Sequence, residues 1–460
     1  MAEPALETSP QDEDVYALNA DLVDSVLRAV AEDDRDALLG YLANMHPADV
    51  ADLLEQIDTS ERIALVSMWG SDISSDVLAE LEAGARDDVL ETLSAEQLGA
   101  AVSELDTDDM VYLVEDLDDA QKDELLDQLD DADRVAVEQS LTYPEYSAGR
   151  LMQRDMVTAP AHWTVGDVID FMRASDDLPE QFYDIIIVDP AMRPIGEVRL
   201  GKVMAHPRGI RLEHLMEKDL RTIPVDQRQE DVAYAFNQYH MIQAPVVNED
   251  GRLVGIITID DAMDVLEDEA EEDMRLLAGV GDEEISDSTM EIVKQRFPWL
   301  LVNLGTAIAA SIVISLFSST IEAVVALAVL MPIVASMGGN AATQTLTVAV
   351  RALATRDLTG SNAMRVVRRE LVAGTLNGLA FALIMAIVGY IWFGSVMLGV
   401  VLAIAMVGNL AVAGLAGILI PIGLGRAGAD PALASGTFVT TVTDVVGFLL
   451  FLGLGSALLL

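Results

Sequence analysis

The hydrophobic and polar positions divide this chain near residue 297. Beyond it, five apolar stretches are each long enough to cross a bilayer, at roughly 299–318, 323–349, 371–393, 396–422 and 434–459. The second and fourth run past ~20 residues and carry Pro and Gly, which predicts tilted or broken helices. Before the divide, residues 20–145 show the Leu, Ile and Val spacing of short amphipathic helices. Leu-Asp pairs recur at 105, 117 and 129, and segments such as PADVADLLEQID, AEQLGAAVSELD and DELLDQLD predict helical hairpin repeats with solvated acidic faces. Residues 1–19 read as a disordered acidic N-terminus without a basic segment and apolar core, so no cleavable signal is expected.

Residues 151–270 contain an internal repeat at an offset of 64, headed by Leu151-Met152 and Leu215-Met216. Each copy predicts a short strand ending near Pro, an amphipathic helix, an apolar strand and a Gly-led strand. The copies read DMVTAP, VGDVIDFM, YDIIIVDP, PIGEVRL and DLRTIPV, EDVAYAFNQY, QAPVVNEDGRLVGIITIDD. This resembles a tandem pair of CBS domains, at 146–210 and 211–262, a regulatory module that often binds adenine nucleotides. The ribose-contacting Thr and Asp of that family match Thr258 and Asp261, which makes ATP a candidate ligand; the first copy departs from the pattern between Arg199 and Lys202. There is no P-loop, so nucleotide hydrolysis is not indicated. The expected fold is therefore multidomain: an all-α superhelical repeat domain, an α/β CBS pair, an acidic connector at 263–297 and a five-helix membrane domain at 298–460.

Charge sharpens this division. The formal net charge is −49, yet of 76 acidic residues only Glu322, Asp357, Glu370, Asp430 and Asp444 lie beyond residue 297. So negative a soluble part excludes nucleic-acid binding, which needs a basic surface, and suits cations. Cysteine is absent, which excludes disulfides, thiolate metal sites and cysteine nucleophiles. Arg351, Arg356, Arg365, Arg368 and Arg369 fall in one inter-span loop and Arg426 in another, while the loops SSTIE and FGS hold no Lys or Arg. By the positive-inside rule these arginines, and the large acidic part with them, face the cytoplasm; the C-terminus is outside, in a multi-pass protein of the cell membrane.

Asp444 is alone among these acids in lying at depth. About ten residues past Ser435 place it ~15 Å into a hydrocarbon core ~30 Å thick, where an ionisable group is a functional-site hypothesis by default. Thr437, Thr440 or Thr441, and Gly447 share its helical face. The second span offers Gly338-Gly339-Asn340 with Gln344 one turn on, and the fourth offers Gly408-Asn409. Carboxylate, amide and carbonyl oxygens select hard cations, and one carboxylate per chain suits a hydrated Mg²⁺ better than a stripped ion. A second chain across a two-fold axis would double it.

The connector starts DDAMDVLEDEAEED, from Asp260 to Asp273. Like charges at helical spacing destabilise an isolated helix, so this segment asks for a counter-cation that local Lys or Arg cannot supply.

The order of these elements, with GGNAATQ, DPALAS and TTVTD-VVG in the spans, resembles the MgtE family of magnesium channels and transporters over essentially the full chain. The resemblance implies a homodimer whose pore is lined by the second and fifth spans. It implies Asp444 as the pore acid, Asn340 as the pore amide and Thr440 as a backbone contributor. It further implies Mg²⁺ contacts at Asp430 in the DPA loop, at Asp261, Asp264, Glu269, Glu272 and Asp273 along the connector, and at Asp108 on the N-terminal domain. Internal Mg²⁺ bridging these acids would close the pore. Arg228 and His240 stand where the family can carry acids, which implies fewer regulatory ions. The alternative is a secondary transporter coupled to H⁺ or Na⁺. An enzyme is not expected: Asp444 has no second acid and no Ser-His pair for catalysis.

Overall fold

A computed structural model describes residues 18–460 apart from 104, 118, 176–177, 180–181, 282 and 284–288. The expected disorder of residues 1–19 falls almost wholly outside the described residues. The chain forms two compact units and passes from the first to the second between Glu267 and Asp268.

Among the described residues, the first unit opens with ten short α-helices between Ala20 and Ser140. Their apolar stripes meet in one core that includes Val26, Leu53, Leu54, Leu65, Val66, Leu78, Leu113 and Val114. Many of the acids have structural tasks at helix starts, where they accept from orphan backbone N–H groups. Asp34 and Asp130 cap this way, and Asp58 with Glu61 forms a full capping box. Arg62 is buried and donates to Leu54 O (2.7 Å), to Ile57 O (3.3 Å) and to the Asp88 carboxylate (2.6 Å). Breaking that contact would strand a buried charge.

The repeat expected at 151–270 is two three-stranded sheets of identical topology. In one, β1 (Thr158–Pro160) runs parallel to β2 (Asp184–Val188), which pairs antiparallel with β3 (Pro194–Arg199). In the other, β4 (Ile223–Pro224), β5 (Gln243–Val247) and β6 (Leu253–Thr258) do the same, and both copies bulge at the end of the middle strand. The leading glycines have a packing reason. A Cβ on Gly196 would lie 2.6 Å from Glu217 O, and one on Gly255 would lie 2.7 Å from Gln153 O. Each glycine lets the opening segment of the other copy cross its strand, so the two copies fold as one module.

We label the helix Thr107–Asp116 α1 and the long connector helix Ile259–Ala278 α2. Five helices long and apolar enough to cross a membrane follow: α3 (Thr289–Ser315), α4 (Ala326–Ala354), α5 (Ala363–Phe393), α6 (Val396–Ala427) and α7 (Gly436–Leu459). α5 starts eight residues ahead of its apolar stretch, because Arg365, Arg368 and Arg369 extend the helix without extending the hydrophobicity.

The expectation of broken spans is corrected. α4 runs unbroken through Pro332 and Gly338-Gly339, and α6 runs through Pro421. An internal Pro forfeits one backbone hydrogen bond, but here packing holds the helix, and the glycines serve close approach. α6 is the central helix, burying Val401, Leu402, Ala405, Met406 and Leu410 against Leu330 and Val334 of α4 and Phe451 and Leu452 of α7.

Candidate cation sites

Asp444 sits on α7, half-exposed, with no hydrogen-bond or ion-pair partner among the described residues. Its helical face is made of hydroxyls that spend their protons on their own backbone. Thr440 and Thr441 Oγ1 both donate to Thr437 O, at 3.1 and 2.6 Å, and Thr443 Oγ1 donates to Thr440 O at 2.9 Å. The Thr440 carbonyl therefore serves Thr443 besides its helical partner, and offering it to an ion requires the buried Thr443 hydroxyl to turn away.

The GGN segment of α4 meets this face. A Cβ on Gly339 would come 3.1 Å from Thr440 Cγ2, so the glycine lets the two helices touch at the level of the threonine cluster. Asn340 is exposed, and its Nδ2 reaches only Ser336 Oγ at 3.4 Å, which leaves its carbonyl oxygen presentable. Gln344 lies elsewhere: it lines a cleft against α5, with Asn377.

Asn409 carries more of the architecture than its sequence context suggests. It is fully buried on α6 and donates from Nδ2 to Val334 O of α4 at 2.9 Å. A Cβ on Gly338 would lie 2.2 Å from that nitrogen, and one on Gly447 would lie 2.8 Å from it. One amide thus fills the notch between two glycines, on α4 and on α7, one turn from Asp444. Among the described residues its Oδ1 has no hydrogen-bond partner. Leaving a buried acceptor unmet costs about 1–3 kcal/mol. The signal in the sequence was the pairing of an intramembrane Asn with glycines in two other spans.

The acids outside the five long apolar helices fall into two groups, each within one unit. In the first, α1 begins with Asp108 and Asp109 just after its cap residue Asp106. Asp108 is buried, and it shares a hydrogen bond with Asp261 at the start of α2. Burial pushes the Asp108 carboxyl well up, with Asp261, Asp109 and Asp106 adding to it. Burial, then Asp261 and Asp106, raise Asp109 to about 7. Burial also raises Asp261, against the two bonds it accepts from Thr258, at 3.1 Å from N and 2.6 Å from Oγ1. Two carboxyls this close hold a proton or a cation between them. Asp109 is a member that sequence reasoning missed; LDTDDM offered both acids, and only the helix start showed that both turn toward α2. Asp264 is exposed on α2.

In the second unit, Asp430 is exposed and caps a short turn by accepting from Ala432 N at 2.6 Å. Burial, then Asp430 and Glu272, push Asp273 up to about 6. Glu272 is exposed and Glu269 half-exposed on the same helix. One turn further, Leu276 and Leu277 pack against a cluster that includes Ala342 and Leu346 along α4, Ala434 just before α7 and Val439 in the first turn of α7. Among the described residues no group of three or more Asp, Glu or His converges as a ready-made chelate.

Comparison with known proteins agrees with this layout. A family model described as a divalent cation transporter, MgtE, matches residues 331–454. The MgtE intracellular N domain matches 45–146, and a CBS domain matches 212–268. The chain is 34% identical to the magnesium transporter MgtE of Thermus thermophilus over 442 residues, 95% of this chain and 98% of the relative. It is 33% identical to that of Enterococcus faecalis, covering 70% of this chain and 71% of the relative. A crystal structure of the cytosolic domain of the Mg²⁺ channel MgtE in complex with ATP is similar with a TM-score of 0.49 and 31% identity, over 53% of this chain and 99% of that one. At 34% identity along nearly the whole length of the Thermus thermophilus relative, the chain belongs to the MgtE family.

Proposed function

We propose that this protein is a Mg²⁺ channel of the cell membrane, closed by the Mg²⁺ it admits. The reading rests most on Asp444: a lone acid at membrane depth, without a protein partner among the described residues, on the α7 face that meets the Gly339-Asn340 segment of α4. A homodimer would set two such faces across one axis, and the hydrated ion would pass between two carboxylates and two Asn340 amides. The arginine-bearing loops support a first unit in the cytoplasm and a C-terminus outside, by the positive-inside rule.

Gating follows from repulsion. Asp430 raises the cost of ionising Asp273, one turn before Leu276 and Leu277 lean on α4 and the start of α7. A cation between the two acids holds that turn against the pore helices; without one, both ionised carboxylates drive it off. Asp108, Asp109 and Asp261 form the equivalent joint in the first unit, and Asp264, Glu269 and Glu272 extend the acidic surface along α2. Thr258 and Asp261 are the candidate ribose contacts for an adenine nucleotide such as ATP. Because Asp261 also holds Asp108, nucleotide and the α1 contact would share one carboxylate.

Flux into proteoliposomes tests the channel reading. Mg²⁺ entry is expected to follow the membrane potential and to persist when the pH and Na⁺ gradients are collapsed separately. Entry that stops with either gradient would establish the coupled transporter instead.

A further inference from the structure

We propose that the groove between α4 and α5 is a binding site for one zwitterionic aminophospholipid. The proposal does not depend on the pore assignment. Two clefts, of about 200 and about 180 Å³, share Thr345, Val348 and Glu370 and so form one groove. It runs from the loop joining α4 to α5, where the chain re-enters the membrane, toward the middle of both helices.

The outer end carries both signs of charge. Arg365 and Arg369 line it, and so do Asp357 and Glu370. Arg365 has no ion-pair partner among the described residues. Glu370 has an 18% exposed side chain, 3.1 Å from Arg369. The loop is pre-formed: Asn362 donates to Asp357 O at 2.7 Å and accepts from Thr359 N at 2.9 Å. A lining of two cations and two anions is not complementary to a purely anionic headgroup. It matches a headgroup with a phosphate for the guanidinium groups and a primary ammonium for the carboxylates. Basic pockets between spanning helices are known phosphate sites, and arginine's planar fork suits phosphate.

The inner end is also polar. The amides of Gln344 and Asn377 face the groove, exposed and without protein partners among the described residues. Unpaired amides facing hydrocarbon are costly, and the ester carbonyls of a phospholipid accept their N–H groups. The floor is built close: a Cβ on Gly374 would lie 2.5 Å from Leu410 O, and one on Gly414 would lie 2.8 Å from Glu370 O. α5 and α6 touch by backbone there, so an acyl chain lies over α6 against Val348 and Ala373 and cannot slip between the two helices.

The test is native mass spectrometry of the delipidated full-length protein with phosphatidylethanolamine, phosphatidylcholine and phosphatidylglycerol of identical acyl chains. Phosphatidylethanolamine is expected to be retained at least ~10-fold better than phosphatidylcholine, whose methylated ammonium cannot donate to Glu370; that factor is the worth of one charge-assisted hydrogen bond. Glu370→Gln should abolish the preference, Arg365→Gln with Arg369→Gln should lower retention of all phospholipids, and Val348→Phe should block the groove sterically without touching the charges. Equal retention of the three headgroups, tightest retention of phosphatidylglycerol, or indifference to the charge and steric variants would overturn the proposal. So would disulfide cross-linking of Val348→Cys between two copies in native membranes, which would make the groove a contact between chains; the chain's lack of cysteine makes that readout clean.

Discussion

Asp444 and the Asp108–Asp109–Asp261 group are made of the same side chain and placed for opposite ends. Asp444 stands alone on α7, surrounded by hydroxyls already engaged with backbone and by glycines that bring α4 to it. The acids of the first unit crowd until two of them share a hydrogen bond. A solitary carboxylate attracts a divalent ion without gripping it, which suits passage. Crowded carboxylates repel until something neutralises them. In the function proposed above, isolation serves passage and crowding serves sensing.

The sharpest way to break this contrast is to remove the solitary charge. Asp444→Asn is expected to cut Mg²⁺ flux by at least ~10-fold, the loss of about 1.4 kcal/mol of ion stabilisation. The protein should stay monodisperse in detergent, because Asp444 holds no other side chain; flux into proteoliposomes checks this, and unchanged flux would remove Asp444 from the pathway.

Neutralising the crowd should do the reverse. Asp108→Asn with Asp109→Asn removes repulsion, so protease resistance of the 18–280 region is expected to rise without Mg²⁺ and to lose most of its Mg²⁺ dependence. Limited proteolysis with and without millimolar Mg²⁺ measures both, and a double variant that still needs Mg²⁺ for protection would contradict the sensing role.

Protons should compete with Mg²⁺ at these acids. Asp109 and Asp273 titrate near about 7 and about 6 when packed, against about 3.8 when free. A raised pKa means that the packed form binds protons more tightly than the open one. Packing without Mg²⁺ is thus most favoured at low pH and weakens as pH rises through about 7. The Mg²⁺ concentration needed for protection is therefore expected to fall as pH drops from 8 to 6, because protons then hold the packed form in place of Mg²⁺. A midpoint independent of pH would rule out these carboxyls as the binding groups.

The smallest expected effect separates packing from conduction. Gly447→Ala places a methyl 2.8 Å from the Asn409 amide. Overpacking of this kind costs typically 1–3 kcal/mol. A lower unfolding midpoint in detergent is expected, with Mg²⁺ protection of the 18–280 region preserved.

Much of this was legible along the chain. Five apolar stretches, a doubled strand pattern and short amphipathic helices each encode their own period, so element type followed from local spacing. Asp444 was legible because a charge in an apolar run is conspicuous by itself. Asp109 was not, because nothing in LDTDDM distinguishes an acid that faces α2 from one that faces solvent. Asn409 was visible only as an amide in a span; its contacts with Gly338 and Gly447 join residues from three helices. Pro332 and the glycine pair read as breaks, since sequence registers the lost hydrogen bond and not the packing that compensates for it.

The sequence by itself determined the division into a charged and an apolar half, the number of spans and the candidate ion-bearing acids, because composition and periodicity are properties of neighbouring residues. Tertiary structure alone decided which acids share a proton, which glycines admit Asn409 or a crossing strand, and which amides face the α4–α5 groove. Those depend on through-space distances of a few ångströms between residues tens to hundreds of positions apart, and no local pattern carries them.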